Sequence, residues 1–567
     1  MIIKQNSSYD QADIVLYNAR VQTMTMLGYV EALAIKEDRI IYAGSNNEAR
    51  DLLKPGGRLI NMQGFTILPG FIETHIHPPG NFLEDLHSIS LFTANSREEV
   101  LKRVKEFIEN HPTRDIYYGA GLNTSLFDTP GPRKELLDVI CANKPIIIRS
   151  IDGHNRWLNS AAFAYMGLHR DTVPNSGILH RDIDGELWGV TTDLRLAFMY
   201  RQDYSDEDRL TAMLAFQKQM LAWGYTAMLS LGSLEQLITM HERKQLYLRV
   251  NTAQTIGRDG ANFAKQIENM TDLRQSLPDG FKLSTAKFFA DGVVEGGTAY
   301  MLEPYAPNAL AGIDPTYRGE SYWQLEAYAE AVALANQHGF DIHVHSIGDA
   351  ATRLTLDAIE GALKQTGHIG ARNSITHLHH VDPSDLPRFA KLGVIAAVQP
   401  FWHLKEPHWW HAFELRLLGP KRAEEIYPLG SLYRLGTRLC SSSDFSGTPE
   451  PNPFWAIKAG VTRNLYNGGA YELPDLTDID DPTYLLNKTE RVSALTMLQS
   501  FTTNSAFMLR REHELGQLTI GYTADLIVVD NDPLLVNPLE LDKIQVLHTM
   551  SGGKWVHSHA KSSLEIS

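Results

Sequence analysis

The 567-residue chain contains only two cysteines, Cys141 and Cys440. Two thiols cannot form a disulfide framework or a metal site built from several thiolates. Acidic residues outnumber basic ones by 67 to 52, the formal net charge is -15, and the sequence has no long basic cluster. This balance argues against nucleic acid or an anionic membrane surface as the main partner.

Long apolar runs are also missing, because no stretch approaches the roughly 18 apolar residues of a membrane-spanning helix. The start, MIIKQNSSYDQADIVLYNA, lacks the basic segment and apolar core of a secretory signal. We therefore predict a cytoplasmic protein with no membrane partner. Short-period repeats and low-complexity tracts are absent as well. The composition, 43% hydrophobic and 21% charged, is that of a globular protein.

The chain is too long for one ordinary domain, and its two ends share a sequence pattern that the middle lacks. Short β-prone segments with turn residues between them fill both ends. They predict one small β-sandwich domain built from residues 1–66 and 511–567, although two unrelated strand clusters would look the same. Residues 67–510 form the remainder, with a less regular insertion around 81–205.

The middle of the chain alternates apolar strand-like runs with amphipathic helices. One helix should begin after Ser205 and stop at Gly224, and another should end at Gly339 before the strand FDIHVHSIGD. Such repeated units predict an α/β fold with a parallel sheet, and their number suits a (β/α)8 TIM barrel. A doubly wound open sheet competes, but no glycine-rich phosphate loop follows any strand.

The stretch FIETHIHPPG places two histidines at the end of an apolar segment. In a strand, Glu73, His75 and His77 would share one face. Neighbouring imidazoles can bind one metal ion, and the following PPG ends the strand there. A buried pair or a chance pair at a surface turn is the alternative.

Lys287 lies within the apolar strand segment STAKFFADG. Burying a lysine is costly unless it is neutralised or paired. This side chain could reach solvent, pair with Asp291, or serve chemistry. In the last case a lowered pKa would leave a neutral amine that can react with CO2 to give a carbamate, an oxygen ligand that bridges two metals.

Polar residues also follow three later strands. FDIHVHSIGD repeats the HxH spacing with His343 and His345, one of which would be a ligand and the other a neighbour. His377 follows in SITHLHHVDP, and Asp444 in LCSSSDFSGTP. Each could be an ordinary core, surface or turn residue. Their joint order matters, because active sites in barrels collect at the carboxyl ends of the strands.

Several segments carry a family pattern: ADIVLYNARVQTM, LPGFIETHIH, DGHNRWLNSAAF, KFFADG, HVHSIGDAA, SSDFSGTPEPNPFWAI and GQLTIGYTADLIVVDNDPL. With them the chain resembles the amidohydrolase superfamily of metal-dependent hydrolases, specifically amidohydrolase family 3, which includes N-substituted formamide deformylase and the YtcJ-like proteins. The resemblance spans nearly the whole chain and implies the same barrel and sandwich.

The resemblance implies a set of metal ligands, one position at a time. The set is His75 and His77 from the first barrel strand, Lys287 as the carboxylated bridging lysine, His345 and His377 from the fifth and sixth strands, and Asp444 from the eighth. That set implies two divalent ions, with Zn2+ expected and Mn, Fe or Co possible.

The implied reaction is hydrolysis of a C–N bond, of the amide or formamide type, in a small organic substrate. A metal-bound hydroxide would attack, with Asp444 as general base. His154 and Asn159 would position the substrate, or else only support their loop. Trp402 lies in the Trp-rich stretch 400–412 and would cap the substrate, or pack a lid against the barrel; Phe445 would shape the pocket.

Some positions depart from the family pattern without removing a ligand. Glu73 replaces the usual aspartate, Thr376 a glutamate, and Ser442 a glycine, while His379 and His380 are also atypical. Two alternatives remain open at this stage. One is a mononuclear deaminase-type hydrolase in which Lys287 is structural, and the other is a non-catalytic regulatory or binding member of the fold. A homodimer is possible, since dimers are common.

Overall fold

The computed structural model describes residues 11–151, 153, 155–174, 177–192, 194, 204–257, 262–307, 309, 314–367, 369–448, 450–564 and 566. The strands in these residues are β1 Ala12–Tyr17, β2 Arg20–Gln22, β3 Tyr29–Val30, β4 Ala32–Lys36, β5 Arg39–Gly44, β6 Leu53–Asn61, β7 Thr66–Pro69, β8 Phe71–Ile76, β9 Ile89–Ser90, β10 Tyr117–Leu122, β11 Ile146–Ser150, β12 Asn155–Leu158, β13 Ile178–Arg181, β14 Leu187–Thr192, β15 Tyr225–Ser230, β16 Arg249–Thr255, β17 Lys282–Phe289, β18 Asp341–Ser346, β19 Ser374–His377, β20 Ile395–Val398, β21 Leu439–Ser441, β22 Leu526–Val529, β23 Val546–Ser551 and β24 Lys554–Ser558.

The α-helices in the same residues are α1 Asn46–Asp51, α2 Phe82–His87, α3 Arg97–Asn110, α4 Lys134–Asp138, α5 Ser160–Tyr165, α6 Asp206–Ala222, α7 Leu234–Glu242, α8 Phe263–Ser276, α9 Leu325–Gln337, α10 Asp349–Thr366, α11 Leu386–Leu392, α12 Leu415–Glu424, α13 Leu429–Arg434, α14 Pro453–Thr462, α15 Ala494–Phe501 and α16 Thr503–Met508. None of the helices in the described residues is both long and apolar enough to cross a membrane.

A parallel barrel forms the centre of the molecule, with its strands in the order β8, β15, β16, β17, β18, β19, β20 and β21. Backbone hydrogen bonds join the chain after β21 back to β8. The N–H of Asp444 donates to the carbonyl of His75 at 3.0 Å, and the N–H of His77 donates to the carbonyl of Phe445 at 3.0 Å. The predicted (β/α)8 barrel is confirmed, and the doubly wound alternative is wrong.

The barrel strands separate an outer apolar face from an inner polar one. On β18, Ile342 and Val344 are buried in the core between the strands and the surrounding helices. His343 and His345 alternate with them and therefore face the opposite way, toward the barrel interior. The helices outside begin and end as the sequence predicts. Ser205 caps α6 with a full capping box, and Gly339, with a φ of 74°, follows α9.

Two sheets from the chain termini pack together as the predicted sandwich. One has the order β5-β4-β1-β6, and the other has the order β24-β23-β22-β7-β2-β3. Leu16 and Ile35 from the first sheet share a buried cluster with Val21, Ile67 and Val528 from the second. Both termini therefore contribute to one small core, and β7 leads directly into the first barrel strand. The exact residue limits of the three parts stay predictions.

A third sheet lies between β8 and β15, within the irregular segment. Its order is β13-β14-β12-β11-β10-β9, and it mixes parallel and antiparallel pairs. One face buries its own apolar cluster, in which Trp157 is completely enclosed beside Ile148 and Tyr117. The insertion thus has a hydrophobic core of its own.

Candidate metal centre

His75 and His77 lie side by side at the carboxyl end of β8, the first barrel strand. Their ring centroids are 5.4 Å apart, and both rings face Asp444, as the alternation of a strand requires. The side chain of His75 is 1% exposed, whereas that of His77 is 48% exposed. The pair therefore reaches from the closed interior of the barrel to its open mouth.

Asp444 follows β21, the last barrel strand, and meets both histidines. Its Oδ1 lies 3.2 Å from Nε2 of His75 and 3.3 Å from Nε2 of His77. The backbone bonds that close the barrel hold Asp444 beside β8, and its φ of 53° lies in the left-handed region. A non-glycine residue keeps that conformation only where its surroundings impose it, which is common at functional sites.

His377 and His345 bring two more imidazoles to the same end of the barrel. The ring centroid of His377 lies 5.1 Å from that of His75 and 4.5 Å from that of His345. His377 also has a positive φ, 74°. Ligand atoms of His75, His377 and Asp444 all lie within 4.8 Å of one another, the only such group of His, Cys, Asp and Glu side chains found in the described residues.

Lys287 lies on β17, and its burial favours the neutral amine. The residue is 2% exposed, and its Nζ lies 5.0 Å from the ring centroid of Phe289. Burial lowers the pKa of Lys287 to about 7, although the carboxylate of Asp444 acts in the opposite direction. Asp291, the alternative partner, instead accepts backbone N–H bonds from Tyr300, Ile347 and Gly348 at 2.8 to 3.0 Å.

Hydrogen bonds behind the histidines fix which ring nitrogen carries hydrogen. Gln399 donates its Nε2 to Thr376 at 3.1 Å and to Ser442 at 2.7 Å, so its Oε1 is the acceptor that lies 3.0 Å from Nδ1 of His377. His377 therefore donates from Nδ1, which also lies 4.0 Å from Oδ2 of Asp444, and Nε2 is the nitrogen that would bind a metal. Gln399 was not among the predicted site residues; the one signal in the sequence is its place directly after β20, at the strand end where barrel sites collect.

His345 has the same kind of partner. Its Nε2 lies 2.9 Å from the carbonyl oxygen of Gly292, an atom that can only accept. His345 therefore donates from Nε2 to that carbonyl. A histidine that binds a metal typically donates its other ring N–H to an acceptor of this kind.

Glu73, one of the residues that depart from the family pattern, links β8 to the loop that carries Asp444. It is fully buried and accepts the backbone N–H of His75 at 3.0 Å and that of Ser443 at 3.0 and 3.1 Å. Burial raises the pKa of Glu73 to about 8, although these N–H bonds act to lower it. Its carboxyl group thus supports the ligand loop rather than facing the site as a ligand.

The charges and distances of this group suit a divalent cation. Burial lowers the pKa of His75 to about 3 and that of His377 well below its usual value, so both rings are neutral. Burial acts to raise the pKa of Asp444, but the neighbouring imidazoles outweigh it and hold that pKa well below its usual range. Two ligands of a tetrahedral ion with bonds of about 2.0–2.1 Å lie roughly 3.3 Å apart. The separations of 3.2 and 3.3 Å around Asp444 match that edge.

Two of the predicted substrate contacts, Asn159 and Phe445, have structural partners. Asn159 is 0% exposed, and both ends of its side chain are held within the insertion. Phe445 is 1% exposed and packs against Phe82, Phe216 and Trp223 in the core outside the barrel. These contacts favour the loop-support alternative for Asn159 and a core role for Phe445, and their contact with a substrate stays a prediction.

Trp402 is a predicted substrate contact that lies beside the candidate metal ligands. Its ring stacks on His377 with centroids 5.7 Å apart and planes 18° apart, and its Nε1 donates to Thr448 at 3.0 Å. The ring is partly exposed, so it can both hold the loop and face a substrate. His154, the fourth predicted contact, lies outside the described residues.

Comparison with known proteins agrees with this geometry. The model of the amidohydrolase family matches residues 58–557. The chain belongs to the amidohydrolase family. Its relatives include the putative amidohydrolase YtcJ of Bacillus subtilis (strain 168), 24% identical over 93% of this chain and 96% of that protein, and N-substituted formamide deformylase of Arthrobacter pascens, 24% identical over 95% of this chain and 97% of that protein.

The chain is also similar to one protein named as a regulator and to one solved structure named as a hydrolase. Exoenzymes regulatory protein AepA of Pectobacterium carotovorum subsp. carotovorum is 25% identical over 77% of this chain and 95% of its own length. The crystal structure of an uncharacterized metal-dependent hydrolase from Pyrococcus furiosus has a TM-score of 0.67 and 25% identity, and it covers 92% of this chain and 99% of that one. Family membership makes this chain a member of a metal-dependent hydrolase superfamily with the barrel fold.

Proposed function

We propose that the protein hydrolyses a C–N bond, of the amide or formamide type, in a small organic molecule, using divalent metal held by six residues. The ligands would be His75, His77, Lys287, His345, His377 and Asp444. The observation that carries the proposal is the position of Asp444, whose Oδ1 lies 3.2 and 3.3 Å from two imidazole nitrogens. N-substituted formamide deformylase, by its name, acts on such a bond, and the likeness to it supports the choice.

A divalent ion bound here would polarise a carbonyl and lower the pKa of a coordinated water to around 7. Asp444 would supply the proton transfers. Its low pKa keeps the carboxylate ionised at neutral pH, so it can accept a proton from the attacking water and return it to the leaving nitrogen. In the balanced reaction, water adds to the carbonyl carbon, the C–N bond breaks, and an acid and an amine leave.

Lys287 supports the two-metal version of the site. Its amine is buried and its pKa is lowered to about 7, which are the conditions under which a lysine is neutral and can take up CO2. A carbamate at that position would add the oxygen ligand that a second ion needs. We propose two Zn2+ ions, with Mn, Fe or Co as possible replacements. A cytoplasmic location and a homodimer stay predictions from the sequence.

A mononuclear site is the second candidate, since His75, His377 and Asp444 alone already form a compact ligand group. The metal content of the purified protein separates the two versions. Two ions per chain and a carbamate mass on Lys287 support the two-metal site. One ion and an unmodified lysine overturn it and leave the mononuclear hydrolase.

The test of the reaction itself is a panel of amides, formamides, lactams and esters with the metal-loaded protein. Asp444→Asn should lower kcat by about 10²–10⁴-fold on any substrate found, because it removes the general base. Asp279→Asn, at an exposed aspartate, is the matched control and should change nothing. A metal-loaded protein that hydrolyses no member of the panel would favour a regulatory role, of the kind that the name of AepA states for that relative.

A further inference from the structure

His343 is a buried histidine behind the candidate ligands, and the proposed reaction gives it no role. It lies on β18 two residues before His345 and is 0% exposed. Its Nε2 lies 2.7 Å from Nδ1 of His75, and its Nδ1 lies 2.7 Å from the hydroxyl oxygen of Ser374. His343 therefore joins His75 on β8 to Ser374 on β19 across the barrel interior.

The direction of these bonds follows from the metal ligand. A neutral imidazole carries one N–H, and a metal needs the lone pair of the other nitrogen. Nε2 of His75 faces Asp444 at 3.2 Å, so Nδ1 must carry the hydrogen. That N–H can donate only to a lone pair on Nε2 of His343, which places the hydrogen of His343 on Nδ1.

Ser374 makes that arrangement of His343 possible. Its hydroxyl oxygen accepts the Nδ1 hydrogen of His343, while its own hydrogen can go to the carbonyl of Ile342 at 3.3 Å. Every donor in the chain from His75 to Ile342 then has an acceptor. Burial lowers the pKa of His343 well below its usual value, in keeping with a neutral ring.

We propose that His343 is a positioning residue for the metal site: it accepts the Nδ1 hydrogen of His75 and so turns the Nε2 lone pair of His75 toward the metal. This inference rests on the proposed metal site. His343 would accept a ring N–H from His75, as the side chain of Gln399 does from His377 and the Gly292 carbonyl does from His345. The difference is that an imidazole accepts only in one tautomer, which Ser374 holds in place.

Two amide substitutions separate this role from simple space-filling. The oxygen of a glutamine side chain reaches about as far as Nε2 of a histidine, whereas that of an asparagine reaches only about as far as Nδ1. His343→Gln can therefore still accept from His75, and His343→Asn cannot. Both change the volume of the buried side chain, so a role that depends only on filling space should not favour the glutamine.

The experiment titrates the metal-free full-length protein with Zn2+ by calorimetry and records the absorption spectrum of the Co2+ form. His343→Asn should weaken Zn2+ binding about 10–100-fold, as expected for loss of a hydrogen-bond partner behind a metal ligand. It should also change the Co2+ spectrum. His343→Gln should stay within a few-fold of wild type. Thermal melting of the metal-free proteins shows whether both variants remain folded.

Two results with these variants would overturn the inference. The first is Zn2+ binding by His343→Asn as tight as that of wild type. The second is an equal loss in both variants, which would show that volume alone matters. If wild type itself bound no Zn2+, the proposed function would fail before any variant was compared. If His343→Asn did not fold, Ser374→Ala should still weaken binding several-fold without lowering the melting temperature of the metal-free protein, and unchanged affinity there would refute the tautomer argument.

Discussion

Asn159 offers a test of whether its motif serves structure or substrate. Its Oδ1 accepts the backbone N–H of Ile146 at 3.0 Å and that of Ala162 at 2.8 Å, the latter as the N-cap of α5. Its Nδ2 donates to the carbonyls of Cys141 at 2.8 Å and Lys144 at 2.9 Å. All four hydrogen bonds of this side chain are made inside the insertion, and none is left for a ligand.

Asn159→Ala removes all four bonds at a site with no exposure. A buried neutral hydrogen bond contributes about 1 kcal/mol net, so the variant should lose about 3–5 kcal/mol of local stability. Because 1.4 kcal/mol is a factor of ten, backbone amides in residues 141–151 and 155–165 should exchange with deuterium about 10²–10⁴ times faster. Activity should fall only as far as the insertion opens.

Hydrogen exchange measured by mass spectrometry reports the loss of stability within the insertion. Thermal unfolding of the whole chain would not resolve it, because a chain of this size does not unfold in one step. Ser160→Ala is the matched control, because the Ser160 hydroxyl donates only to Asp138, at an exposed position. Its exchange should rise by less than about tenfold. If Asn159→Ala left exchange unchanged and instead raised KM, then Asn159 would contact substrate and the structural assignment would be wrong.

Two further predictions concern the metal ligands. Gln399→Met should weaken Zn2+ binding about 10–100-fold in a calorimetric titration, because Nδ1 of His377 loses its acceptor. Ser442→Ala is the control: it keeps that hydrogen bond and should bind Zn2+ nearly as tightly as wild type. Equal affinities of the two variants would contradict this prediction. In metal-free, CO2-free buffer, Lys287→Met should melt at a higher temperature than wild type near pH 7. The gap should close toward pH 10.5, because the unfolded chain keeps a lysine proton that the folded chain, with a pKa of about 7, has lost. A gap that does not change with pH would refute the lowered pKa.

Most of the fold could be predicted from two features of the sequence: the alternation of side chains along strands and the order of strands and helices along the chain. The HxH spacing requires His75 and His77 to share a face in any strand, and the capping residues Ser205 and Gly224 mark the limits of α6 from local chemistry alone. Repeated strand–helix units then leave few topologies to choose from. These features are local or periodic, so they can be read without knowing which distant residues meet.

Other features of the site depend on contacts across the fold that the sequence alone does not reveal. His343 and His345 have the same spacing and the same face, and only the position of β8 decides that one meets His75 and the other meets His377. Phe445 adjoins Asp444 in sequence, but its ring points to α6 because the backbone at Asp444 turns sharply. For Asn159 a local signal existed, since an asparagine before a helix-forming SAAF segment is a favoured N-cap.

One side of the candidate site is buried in the barrel and the other is exposed at its mouth, and we expect the two sides to have different roles. His75, at 1% exposure, lies on the closed side, where low dielectric strengthens every charge interaction and a hydrogen-bonded support such as His343 can hold a ring in one tautomer. His77, at 48% exposure, lies on the open side, where substrate must arrive. Asp444 contacts both. Affinity for metal should therefore be set by residues inside the barrel, and choice of substrate by the loops over its mouth, among which Trp402 already stands against His377.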